Sequence, residues 1–85
     1  SSFLFLKNLP VDYIKIDGSI VMGATRNEVD LTKLKAIARV ARATNRNTVA
    51  EFVESDETLG ILRSLGVDLA QGFGIAKPVP LSTLD

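Results

Sequence analysis

Three short apolar runs, Val11–Asp17, Thr48–Val53 and Val67–Phe73, alternate with two stretches patterned for helices. This strand–helix–strand–helix–strand order constrains the fold most. Each helix is a crossover, a crossover makes the strands it joins parallel, and such connections are right-handed. In the first run Ile14 and Ile16 fall on one side and Tyr13, Lys15 and Asp17 on the other, as a period of two requires. Gly18-Ser19 closes it. Thr48-Val49-Ala50-Glu51-Phe52-Val53 is mostly apolar, which suits a parallel strand buried on both faces. The third run carries Gln71 just before Gly72.

The helical stretches have distinct ends. Asn27 and Asp30 form a capping arrangement, and Leu31, Leu34, Ile37, Ala38 and Ala41 recur at helical spacing through about Ala43. Asn45 and Asn47 are candidate left-handed terminators. Ser55 caps the next helix, Asp56 and Glu57 suit its N-terminal dipole, Leu59, Leu62 and Leu65 form its apolar stripe, and Gly66 ends it. Ahead of the first strand, Ser1 and Ser2 precede an apolar cluster that Pro10 interrupts, so a short helix is expected to end near Asn8. Lys77-Pro78-Val79-Pro80 is expected to be an irregular exit, and Leu81–Leu84 the start of a further helix.

The resulting expectation is an α/β architecture with three parallel strands and their helices. Such a sheet has two unpaired edges and too few layers to cover it, so its natural context is a larger sheet or barrel. With 85 residues, 46% hydrophobic and 24% charged, the chain is one small unit, marginal on its own. It starts at Ser1 without an initiator Met and reads as a piece of something larger. Self-association through exposed sheet edges or helices is expected of the isolated segment.

Ten basic residues balance ten acidic ones and are scattered, which argues against a DNA or RNA polymer or an anionic lipid surface as partner. No apolar run approaches the ~20 residues of a membrane span. The segment is expected to be soluble and cytoplasmic, with membrane anchoring of a longer parent left open. Cysteine and histidine are both absent, which removes thiolate chemistry and the commonest general base and zinc ligand. Chemistry here must run on carboxylates, Lys, hydroxyls and amides, and carboxylates favour magnesium, manganese or calcium.

Ionisable residues at strand ends are where parallel α/β architectures build active sites. Lys15 points into the mouth of a barrel if Ile14 and Ile16 meet the helices; an edge strand whose Lys15 and Asp17 face water fits the pattern equally well. Glu51 interrupts an apolar run, and a carboxylate buried there must be paired or bind metal. A salt bridge to Lys15 is the structural alternative. Glu54 falls at the strand exit, and Gln71 places an amide at the same end of the next strand. Gly18, Gly72 and Gly74 permit close approach of backbone to a ligand, although turns demand glycine at such places too. No phosphate-binding glycine loop is present.

Taken in order, Leu9-Pro10-Val11-Asp12-Tyr13-Ile14-Lys15-Ile16-Asp17, Val49-Ala50-Glu51-Phe52-Val53-Glu54, Leu62-Arg63-Ser64-Leu65-Gly66-Val67-Asp68 and Ala70-Gln71-Gly72-Phe73 closely resemble the EAL family of cyclic di-GMP phosphodiesterases. The resemblance is to the C-terminal portion of that domain: residues 1–85 as the last three parallel strands, with their helices, of a TIM-like (βα) barrel. It implies hydrolysis of cyclic di-GMP to linear pGpG with two magnesium or manganese ions. By the same resemblance Glu51 is a metal ligand, Lys15 holds or polarises the attacking water, Asp17 and Glu54 support the site, and Gln71 bonds near the substrate or its water. Upstream regulatory domains are implied in the parent. The Glu-Ala-Leu motif, the Asn and Glu ligands and the paired Asp of the family are absent from these 85 residues, and Phe52 stands where the family often has Gly. The segment alone is therefore expected to be inactive. Two other readings stay open: a parent that is a non-catalytic cyclic di-GMP receptor, and a free-standing scaffold domain with a small doubly wound sheet.

Overall fold

A computed structural model describes residues 12–72 and 75–84. The expected helix ending near Asn8 lies outside them, as do Val11 and Phe73 of the two outer strand runs. In chain order the elements are β1 (Tyr13–Ile16), α1 (Gly18–Gly23), α2 (Glu28–Ala43), β2 (Asn47–Val53), α3 (Asp56–Ser64), β3 (Leu69–Gly72), β4 (Ile75–Pro80) and a 3₁₀ turn, Leu81–Thr83. They form one sheet in the order β1-β2-β3-β4. The first three strands are parallel, joined by helical crossovers as the sequence requires.

The sheet turns one face toward the helices. Ile16, Ala50 and Ala70 are register partners across β1, β2 and β3, and all are fully buried. Above them sit Val21 of α1, Leu34 of α2 and Leu62 of α3, also without exposure. Small alanines on the two inner strands let these larger side chains seat close to the sheet. Truncating Leu34 or Leu62 there leaves a cavity, at about 2–5 kcal/mol each. At the N-terminal ends of β2 and β3, Thr48 N–H donates to Asp68 Oδ2 (2.9 Å), and Asp68 N–H donates to Thr48 Oγ1 (3.2 Å). Thr48 is 2% exposed, so this reciprocal pair satisfies polar groups that would otherwise be buried unpaired.

The caps behave as their chemistry dictates. Asn27 Oδ1 accepts from Asp30 N–H (2.8 Å) to open α2, and Ser55 Oγ accepts from Thr58 N–H (3.1 Å) to open α3. Asn45 (φ 59°) and Gly66 (φ 76°) supply the left-handed residues after α2 and α3. Asn47 is no terminator: it opens β2, paired with Tyr13, and its N–H donates to Asp12 O (3.1 Å).

Two further expectations are corrected. Gly18-Ser19 does close β1, but it also opens a short helix whose two glycines and β-branched Ile20 and Val21 disguise it. Asp17 makes that helix possible, accepting from both the N–H and the hydroxyl of Ser19. Lys77–Pro80 is not irregular. It belongs to β4, which runs antiparallel to β3 with Ala70 opposite Val79 and Leu69 opposite Pro80. Two prolines fit because β4 is an edge strand, where a missing N–H costs no inner ladder bond. The helix expected from Leu81 is the 3₁₀ turn, tied back by Leu81 N–H to Asp68 O (3.0 Å).

Candidate functional site

Lys15, Val49 and Leu69 are register partners across the three parallel strands, one residue before the buried row and on the opposite face. By strand periodicity the next row on that face is Asp17, Glu51 and Gln71, at the C-terminal ends of the strands. Neighbouring strands lie about 4.8 Å apart. The topology thus brings Lys15, Glu51 and Gln71 to one face at one end of the sheet, on three adjacent strands. That end is where parallel α/β architectures place their chemistry.

Burial distinguishes the members. Lys15 is exposed, Glu51 and Gln71 are half-buried, and Asp17 and Glu54 are exposed. Lys15 and Glu51 sit diagonally, since Glu51 is two residues beyond Val49, the partner of Lys15. Among the described residues they make no ion pair with each other, so the structural salt bridge is not what holds Glu51. Asp17 is occupied in capping α1. Glu54 follows β2 directly ahead of the Ser55 cap, at the strand exit.

The end of β2 is irregular. Between Ala50 and Val53 it holds two residues, Glu51 and Phe52, where β3 holds only Gln71 between Ala70 and Gly72. This one-residue bulge lets Ala50 and Val53 both face the helices, while Glu51 between them faces the other way. Phe52 carries the turn of the bulge at φ 58°, a left-handed conformation uncommon for any residue but Gly. Glycines flank it on both sides. A Cβ on Gly18 would fall inside the Phe52 ring, and a Cβ on Gly72 would lie 2.5 Å from Val53 N and 2.9 Å from Val53 O. The close approaches that these two glycines permit are therefore to β2, not to a ligand. The Phe52–Gly18 contact escaped sequence reasoning; its only signal was a bulky residue where the resemblance expects Gly.

Glu51 is a hard oxygen donor and fits a divalent cation as one ligand. Among the described residues no group of three or more His, Cys, Asp or Glu could hold a metal ion. No helix among the described residues is long and apolar enough to cross a membrane.

These features define a class: a sector of a parallel βα barrel, helices outside and polar side chains at the C-terminal mouth. The EAL domain family model matches residues 1–78, and the chain belongs to that family. Among curated relatives, cyclic di-GMP phosphodiesterase PdeB of Shewanella oneidensis is 42% identical over 83 residues, 98% of this chain. Cyclic di-GMP phosphodiesterase PdeF of Escherichia coli is 40% identical over 81 residues, 95% of the chain. The chain spans 10% and 11% of those two proteins. Among solved structures, a Pseudomonas aeruginosa MucR phosphodiesterase in complex with c-di-GMP matches with TM-score 0.72 and 34% identity, covering all of this chain and 34% of that one. The EAL domain of Mycobacterium smegmatis DcpA matches with TM-score 0.69 and 38% identity, over 99% of this chain and 38% of that one. EAL domains are TIM barrels, and the sheet described above is a piece of one.

Proposed function

We propose that residues 1–85 are the C-terminal sector of a cyclic di-GMP phosphodiesterase barrel, contributing its last three parallel strands. The observation that carries this reading is the placement of Lys15, Glu51 and Gln71 on one face at the C-terminal ends of β1, β2 and β3. Family membership and relatives named as cyclic di-GMP phosphodiesterases support it.

In the reaction, water adds to phosphorus, the bond from phosphorus to one ribose 3′ oxygen breaks, and that oxygen leaves with a proton to give linear pGpG. Magnesium or manganese, two ions in the complete domain, supplies an activated water and neutralises charge on the phosphate when bound. Glu51 contributes one oxygen ligand on the inner face. Lys15, an exposed ammonium on the row before it, holds the attacking water and faces the growing negative charge. Gln71 brings a side-chain amide to the same end of the next strand, for a bond near the substrate or its water. Asp17 and Glu54 act at a distance, Asp17 by fixing the β1–α1 turn through Ser19 and Glu54 at the β2 exit. The segment by itself does not turn over, because among the described residues no group of three or more His, Cys, Asp or Glu completes a metal shell.

The test uses the complete protein that carries this segment. Purified with manganese and cyclic di-GMP, it should yield linear dinucleotide, and the isolated 85 residues should yield none. Tight nucleotide binding without product from the complete protein would make the parent a receptor.

A further inference from the structure

We propose that Phe52 is a positioning residue for Glu51: its ring, seated on Gly18, holds the β2 bulge in the backbone conformation that keeps the Glu51 carboxylate on the inner face. This rests on the functional reading above only in taking Glu51 as a metal ligand. Four observations converge on it. Phe52 stands immediately after Glu51 in a bulge that re-aims one side chain. It holds a left-handed φ of 58°, a cost of about 1–3 kcal/mol for a bulky residue that persists only when the surroundings impose it. Although Phe52 is 57% exposed overall, the ring occupies the place a Gly18 side chain would take, and Gly18 is itself buried. Gly72 lies on the other side of the bulge, where an added Cβ would meet the backbone of Val53 and, at 3.1 Å, the Phe52 carbonyl carbon.

The ring is thus the part of Phe52 that opposes its own backbone preference. Without the contact, a non-glycine residue at 52 relaxes out of the left-handed region, the bulge shifts, and Glu51 turns from its place. Gly18 belongs to the same device, since any side chain there lifts the ring. The clamp also joins β2 to the turn in which Asp17 caps α1.

The experiment measures manganese affinity by calorimetry, together with thermal midpoint in metal-free buffer, on the complete protein. Phe52→Ala and Gly18→Ala should each weaken manganese binding about tenfold, as loss of a group that orients a metal ligand does. The double variant should be no weaker than either single, because both remove one contact. Phe52→Tyr keeps the ring and should keep the affinity. Phe52→Gly discriminates most sharply: glycine takes the left-handed conformation unaided, so affinity should return to within about twofold, and Gly18→Ala should then be harmless. Glu51→Gln serves as the reference. If Glu51→Gln leaves manganese affinity unchanged, the functional reading fails. If Glu51→Gln abolishes binding while Phe52→Ala keeps it, or if Phe52→Ala and Gly18→Ala add, the positioning role is wrong and the functional reading stands. A fall in thermal midpoint for Phe52→Ala with manganese affinity intact would make the contact purely structural and overturn the proposal.

Discussion

Replacing glycine by alanine at two positions of this chain should change stability in opposite directions. At Gly72 φ is 151°, a conformation L side chains rarely adopt, and an added Cβ would lie 2.5 Å from Val53 N, 2.9 Å from Val53 O and 3.1 Å from Phe52 C. All three are backbone atoms of a neighbouring strand, so no side chain can swing aside to relieve the clash. The backbone conformation alone costs about 1–3 kcal/mol. Forcing a methyl into a packed contact adds about 1–3 kcal/mol. Gly72→Ala should therefore destabilise by about 4 kcal/mol, the sum of the mid-range values of the two terms. Gly60 lies in the middle of α3, and nothing is within 4 Å of its added Cβ. There the methyl meets no obstacle and reduces the entropy of the unfolded chain, so Gly60→Ala should stabilise by about 0.5–1 kcal/mol. Urea denaturation of the complete protein, followed by circular dichroism at 222 nm, reads both as midpoint shifts of opposite sign. A loss below about 1 kcal/mol for Gly72→Ala would refute the close packing of β3 on the bulge, and a loss for Gly60→Ala would refute the open surface assigned to α3.

Other outcomes follow from the same contacts. Asp68→Ala removes the acceptor of Thr48 N–H at the N-terminal strand ends and should cost about 1.5–3 kcal/mol in the same denaturation assay, as loss of a hydrogen bond to a charged group does. Ser55→Ala should cost about 1 kcal/mol through loss of the α3 cap, with amide exchange accelerating first in residues 56–58. The isolated 85-residue segment should self-associate in sedimentation velocity. Among the described residues no further strand lies beside β1 or β4, and Tyr13, Val29, Val40 and Phe52 are each more than half exposed. A clean monomer at high concentration would contradict this.

Much of the fold was legible because its signals are local. The caps at Asn27 and Ser55 and the terminators Asn45 and Gly66 each act within a few residues. The shared placement of Lys15, Glu51 and Gln71 was legible because polar residues at the ends of apolar runs are visible in one dimension, and parallel crossovers then leave little freedom in where they meet. What escaped depends on contacts between distant segments. The β4 strand was disguised by its prolines, which read as breakers until the sheet shows them on an edge. The α1 helix was hidden by glycines that mark a turn, and its existence depends on Val21 reaching the core beside Ile16 and Leu34. The Phe52–Gly18 contact joins residues far apart in the chain, and the positive φ gives the physical reason that backbone preference would choose glycine at position 52.

The central claim is that Glu51 and Lys15 serve one phosphodiesterase site, and the rate of linear pGpG formation by the complete protein tests it most directly. Saturating manganese and cyclic di-GMP should give steady product formation. Glu51→Gln should lower the rate by more than about 100-fold, beyond the effect of removing a group that merely orients a ligand. Lys15→Met should lower it by about 10²–10³-fold, as loss of a residue that stabilises developing charge does. Unchanged product formation by both variants would contradict the account.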